Sequence, residues 1–290
     1  MKKLALNLPP IWPSPSDGRR LMIALSSERI PRYRKFDRSS HGYYTMVAPR
    51  ILIGEDGDKV SEHVGQVIQE LLSKKSGQIV IGLSGGSLPK FFVKGVQNLK
   101  DLSWSRVKFI FCDERLVPFD HADSTFKIYE ETLIGKIEGV SKDNFVLIDP
   151  ALPVDECAKD YQKKLLALES EDAAAAGGFL PKYDILLLGM GPDGHTCSLF
   201  PGHALLDEKS LIVAPISDSP KPPAERVTLT LPVLNNAKAC VFVSTGDGKK
   251  ELIHKIVDKG QDFPAGRVKP TQGELIWILD APAASMLAKK

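Results

Sequence analysis

From Arg50 onward the chain alternates short, almost wholly apolar runs with amphipathic helical stripes, and this alternation limits the folds open to it more than any other feature. Residues 79–83, 107–112, 183–188 and 239–244 are nearly continuous in Val, Ile, Leu and Phe. They have strand length and lack the polar-out alternation of a strand wetted on one face. Shorter strands are expected at 50–53, 145–148, 211–214, 227–231 and 275–279. Between them Val60, Val64, Val67, Ile68, Leu71 and Leu72 recur at three- and four-residue steps, the stripe of a helix. Helices are likewise expected at 88–96, 126–137, 154–168 and 249–257, with a last one from Ala283. Buried strands joined by helices imply a doubly wound α/β domain: a mostly parallel, Rossmann-like sheet with helices on both faces. Ligands of such sheets bind outside the carboxyl ends of the strands, so the loops after Leu83, Cys112, Leu188 and Ser244 should carry the chemistry.

Composition narrows the class further. With 43% hydrophobic and 26% charged residues among 290, the chain can bury a sizeable core, which excludes disordered and collagenous classes. Its 38 basic and 36 acidic side chains are too even a mixture for a general nucleic-acid or membrane surface. Cys112, Cys157, Cys197 and Cys240 form no C-x-x-C pair, so reduced thiols of cytosolic type are expected, without a zinc site. No apolar run approaches the ~20 residues of a membrane helix. Residues 1–45 stand apart, with nine basic against three acidic side chains, and prolines at 9, 10, 13 and 15. They read as a basic extension, solvated or an organelle-targeting segment, ahead of a single domain at 46–290.

Four loops carry candidate residues. Ser84, Gly85, Gly86 and Ser87 follow a strand and open a helix; glycines that admit a close ligand, free helix-start amides and two hydroxyls suit a phosphate. The spacing is not that of a nucleotide P-loop. Gly82 to Gly86 also fits the G-x-S-x-G elbow of serine hydrolases, although no HGGG-type oxyanion loop precedes it. The loop from Cys112 to Thr125 brings Asp113, a further site candidate, and Arg115, whose planar fork suits a phosphate or carboxylate.

The loop Gly189 to Pro201, GMGPDGHTCSLFP, is the most specific. It contains a formal G-x-G-x-x-G, but Pro201 comes too soon for the long helix of a dinucleotide crossover. His195, two residues from Asp193 and at the end of the most apolar strand, suits a general base or acid. The proline-stiffened segment 217–227 supplies Lys221 and Arg226, able to sit over an anionic substrate, and Lys249 stands at a second strand, glycine turn and helix start.

Taken together, SGGS at 84–87, CDER with LVPFDHADST at 112–125, GMGPDGHTCSLFP at 189–201 and SPKPPAERVTLTLPVL at 219–234 closely resemble the 6-phosphogluconolactonase family over residues from about 47 to the C-terminus. The resemblance implies a fold shared with glucosamine-6-phosphate deaminase and ribose-5-phosphate isomerase. It implies no cofactor, a small sugar-phosphate lactone as substrate, and the second step of the oxidative pentose phosphate pathway. The family's histidine falls on His195, and its phosphate loop and arginine on Ser84 to Ser87 and Arg115. No nucleic-acid or membrane partner is implied, and a monomer or weak homo-oligomer is expected. A deaminase-like aldose-ketose isomerase is the nearest alternative, but the stretch Ser198-Leu199-Phe200-Pro201 offers no acid to assist ring opening. A non-catalytic sugar-phosphate sensor would have no need of His195 and Asp193 together.

Overall fold

The computed structural model describes residues 48–73, 75–97, 99, 102–168 and 180–288. The basic extension at 1–45 lies outside these, as does the small-residue stretch 173–178. Among the described residues nine strands fall into two sheets: β1 (Arg50–Gly54), β2 (Ile79–Leu83), β3 (Val107–Phe111), β4 (Asp113–Arg115), β5 (Ile185–Leu188), β6 (Val213–Ile216), β7 (Arg226–Leu229), β8 (Ala239–Ser244) and β9 (Glu274–Asp280). Six of them form a sheet in the order β1-β9-β8-β5-β2-β3, and every neighbouring pair runs parallel. β2, β5 and β8 are buried at every position. Since alternate side chains point to opposite faces, both faces of this sheet are covered.

Helix α1 (Gly57–Leu72) starts where the Asp56 carboxylate accepts the Lys59 amide at 2.8 Å. It buries Val60, Val64, Val67, Ile68 and Leu72 of the predicted stripe, while Leu71 is only half-buried. It meets α2 (Leu88–Val96) at two glycines: a Cβ on Gly65 would lie 2.2 Å from the Gly95 carbonyl oxygen, so only glycine allows this helix separation. Helices α3 (Thr125–Thr132) and α4 (Val154–Leu166) follow β4 and precede β5.

The second sheet departs from the expected pattern. β4, β7 and β6 form an antiparallel set of three, so the runs near 211–214 and 227–231 do not join the parallel sheet. The strand expected at 107–112 breaks at Cys112, which donates its amide to Leu83 and accepts from Leu229, handing the chain from one sheet to the other. Residues 145–148 make only a bridge from Phe145 to Phe109; the Phe145 ring is held 4.9 Å from that of Phe109 and serves the core rather than a ladder. The helix expected to reach Ile137 ends at Thr132, and Gly135 turns the chain at φ 69°. Residues 247–258 wind through 3₁₀, α and π turns instead of one regular helix. Among the described residues no helix is long and apolar enough to cross a membrane.

Candidate active site

β5 is the pivot of the site. It pairs with β2 on one side and β8 on the other, so the loops after these three parallel strands leave the same edge of the sheet side by side. The loop after β5 folds tightly: the Gly191 amide donates to the His195 carbonyl (2.9 Å) and the Gly194 amide to the Gly191 carbonyl (3.1 Å). A Cβ on Gly191 would lie 2.0 Å from Cε1 of His195, and Gly194, at φ 83°, would drive one to 2.7 Å from Phe263. These two glycines of the formal G-x-G-x-x-G therefore make room for an imidazole and a phenyl ring. No long helix follows; the next helical turn is the 3₁₀ segment Ala204–Asp207.

His195 Nδ1 lies 2.5 Å from Asp193 Oδ1. An ionised carboxylate only accepts, so Nδ1 carries the proton and donates it, leaving Nε2 with a free lone pair. The imidazole rests against the Phe200 ring at 4.8 Å between centroids. Lys221 Nζ stands 3.2 Å from both Asp193 oxygens and from His195 Nδ1. Burial pushes the His195 pKa below its ordinary value; the Asp193 hydrogen bond and charge oppose this, and the Lys221 charge adds to it. Burial acts to raise Asp193, but hydrogen bonds and charge from His195 and Lys221 together bring it below the usual carboxylate range. The result is a neutral, oriented imidazole beside an ionised acid.

A second cluster adjoins the first. Asp113, buried on β4, accepts from Ser198 Oγ at 2.8 Å. Arg226, 4% exposed on β7, donates from Nε to the Pro223 carbonyl and from Nη2 to those of Lys221 and Pro222. Its guanidinium lies 5.9 Å from the Phe200 ring. Arg115 is paired with Arg226 across the β4–β7 ladder and donates to the Asp123 carbonyl at 2.7 Å. The acid found wanting beside residues 198–201 is thus supplied by the fold: Asp113 arrives from 85 positions upstream, because β4 pairs with β7.

The loop after β2 behaves in two ways. Ser84 is buried, donating its hydroxyl to the Leu187 carbonyl at 2.9 Å and accepting the Tyr129 hydroxyl on its own carbonyl at 2.8 Å. Its Oγ is turned into the sheet, contrary to what a nucleophile elbow needs. Gly85 leaves a built Cβ only 3.0 Å from Thr125 Oγ1, Gly86 sits at φ 69°, and Ser87, exposed, begins α2 without spending its hydroxyl on the cap. After β8, Lys249 is half-buried; burial lowers its pKa and the Asp280 charge opposes this.

His195, Asp193 and Lys221 are therefore brought into one cluster, while Asp113 and Arg226 form an adjoining one through Ser198. Ser84 to Ser87 and Lys249 follow the strands that flank β5. Sequence reasoning missed Ser198, Phe200 and Glu114. The Glu114 carboxylate accepts the amides of Arg115, Thr125 and Phe126 at 2.8 to 2.9 Å, capping α3, and burial raises its pKa to about 7 against those three hydrogen bonds. The adjacent acids of CDER and the helix start at Ser124 and Thr125 were the available signal.

The chain belongs to a family of α/β proteins named for sugar-phosphate enzymes: residues 55–277 match the family of glucosamine-6-phosphate isomerases/6-phosphogluconolactonase. It is 46% identical over 239 residues to the 6-phosphogluconolactonase of Rattus norvegicus, covering 81% of this chain and 90% of that one. To the 6-phosphogluconolactonase of Homo sapiens it is 44% identical over 241 residues, covering 78% and 91%. The crystal structure of 6-phosphogluconolactonase from Leishmania guyanensis superposes with a TM-score of 0.72 at 26% identity, covering 84% of this chain and all of that one (100%).

Proposed function

We propose that this protein hydrolyses 6-phospho-D-glucono-1,5-lactone to 6-phospho-D-gluconate, the second step of the oxidative pentose phosphate pathway. The observation that carries the reading is the Asp193–His195 pair, with Nδ1 engaged at 2.5 Å and Nε2 without a hydrogen-bond partner among the described residues, at the end of the central strand.

Nε2 of His195 takes a proton from water as the water oxygen bonds to C1 of the lactone. The negative charge that develops on the carbonyl oxygen needs a donor or cation, and Lys221 Nζ, 3.2 Å from Nδ1 of the imidazole, is a cation at the site. As the C1–O bond to the ring oxygen breaks, the imidazolium returns the proton to that oxygen. Asp193 holds the ring in the tautomer this requires and stabilises the imidazolium between the two transfers. Gly85, Gly86 and Ser87, with the amides at the start of α2, take the 6-phosphate, joined by Lys249 and Arg115 as charge partners. Ser84 contributes its backbone, its hydroxyl being given to Leu187.

One observation supports a second reading. Asp113 gives the site an additional carboxylate, which proton shuffling by an aldose-ketose isomerase of the deaminase type would use. A lactonase assay corrected for spontaneous hydrolysis, run beside a glucosamine 6-phosphate assay, separates the two. Catalysed turnover of the lactone and none of the amino sugar is expected; the reverse pattern would transfer the protein to the isomerase class.

A further inference from the structure

Arg226 spends its donors in an unusual place for a residue facing an anionic substrate. Three of the five guanidinium N–H groups go to three consecutive backbone carbonyls: Nη2 to Lys221 (3.0 Å) and Pro222 (2.9 Å), and Nε to Pro223 (3.0 Å). Nη1 points to Ser198 Oγ at 3.5 Å, and that hydroxyl is itself held by Asp113. The guanidinium also lies 5.9 Å from the Phe200 ring, the ring against which His195 rests. Pro222 and Pro223 have no amide hydrogen, so the segment's other ties are few: Ser219 Oγ donates to the Lys221 carbonyl (2.8 Å) and accepts the Lys221 amide (3.3 Å), and the Ser219 amide donates to the Ala224 carbonyl (3.2 Å), none of them reaching the Pro222 or Pro223 carbonyl. A planar fork with several donors in fixed directions meets this need; a single ammonium does not.

We infer that Arg226 is a positioning residue: it clamps residues 221–223 so that the Lys221 ammonium stays beside Asp193 and His195, and it acts on the reaction through Lys221 instead of through the sugar phosphate. The inference rests on the lactonase reading for its consequence in turnover, but the geometry it asserts does not.

The test is a double-mutant cycle on the full chain with Arg226→Gln, Lys221→Met and the double variant, assayed on 6-phosphogluconolactone. Arg226→Gln is expected to lower kcat by about the factor that Lys221→Met does, on the order of 10- to 100-fold, with KM within about twofold, and the double variant to be no more than about twofold worse than Lys221→Met alone. Arg226→Lys should not rescue, and where Arg226→Gln fails to fold the same cycle is run with that variant. Factors that multiply, a pure rise in KM, or rescue by lysine would overturn the inference.

A second readout is independent of turnover. The charged groups facing the His195 imidazole are Asp193, Lys221 and Asp113, and the titration of the ring, followed by NMR, should move to higher pH by the same amount in Arg226→Gln as in Lys221→Met. A midpoint that moves only in Lys221→Met would equally overturn it. Absence of lactone turnover in the wild type, by contrast, would count against the functional reading alone.

Discussion

Asp193 Oδ1 and His195 Nδ1, two residues apart in sequence, stand 2.5 Å apart, and Lys221 bridges both Asp193 oxygens at 3.2 Å from across the site. The carboxylate thereby decides which ring nitrogen holds the proton. Replacing it with an amide of the same shape, Asp193→Asn, removes that preference and presents a donor to Nδ1. We expect the fold and KM to be kept and kcat to fall on the order of 10²- to 10⁴-fold. Steady-state kinetics with a melting curve on the same preparation check this; unchanged kcat would free Asp193 from its assigned part.

The same geometry fixes a pH dependence. The base role proposed for His195 requires the neutral ring, and its pKa lies below the ordinary histidine value because of burial, with Asp193 opposing and Lys221 assisting. A lowered pKa means that the ring stays neutral further into acid, so kcat/KM should fall only as pH drops through a midpoint below about 6.5. A pH–rate profile corrected for the spontaneous reaction measures the midpoint; an acid limb clearly above that value would contradict the environment described.

Gly191 provides a test by shape alone. Its built Cβ would meet His195 Cε1 at 2.0 Å and Nδ1 at 2.1 Å, distances that no side-chain carbon can keep. Gly191→Ala must therefore displace the imidazole from Asp193. Activity should be lost about as far as in a histidine variant, while phosphate binding, read as inhibition or stabilisation by 6-phosphogluconate, should persist. Retained activity would mean that the loop can relax without cost.

Ser84 separates hydrolysis by water from an acyl-enzyme route. Its hydroxyl is buried and committed to the Leu187 carbonyl, so a serine-directed covalent inhibitor should leave it unlabelled. Ser84→Ala should keep kcat within a few-fold and cost about 1 kcal/mol of stability, the worth of one buried neutral hydrogen bond. Labelling of Ser84 with loss of activity would restore the nucleophile elbow.

What could be read from the sequence, and what could not, follows from the range over which each signal acts. The apolar runs at β2, β5 and β8 and the stripe of α1 are local patterns, and each lies where periodicity placed it. Asp193 and His195 lie within three residues on one tight loop, so their proximity was also local. The join between β4 and the antiparallel sheet was illegible: β4 is only three residues long, and its partner β7 lies more than 100 positions away, too distant for any window to pair them. With it were hidden the contact of Asp113 with Ser198 and the clamp of Arg226 on residues 221–223. The sequence offered Lys221 and Arg226 as equivalent cations; only the fold separates the one beside the imidazole from the one bound to backbone carbonyls.

The central claim is that His195 is the base, and turnover of 6-phosphogluconolactone by His195→Ala against wild type, each corrected for spontaneous hydrolysis, tests it most directly. The account predicts a wild-type rate well above background and a variant whose kcat is lower by about 10²- to 10⁴-fold, with an unchanged melting temperature and undiminished affinity for 6-phosphogluconate. A folded His195→Ala protein that turns over the lactone at close to the wild-type rate would contradict it.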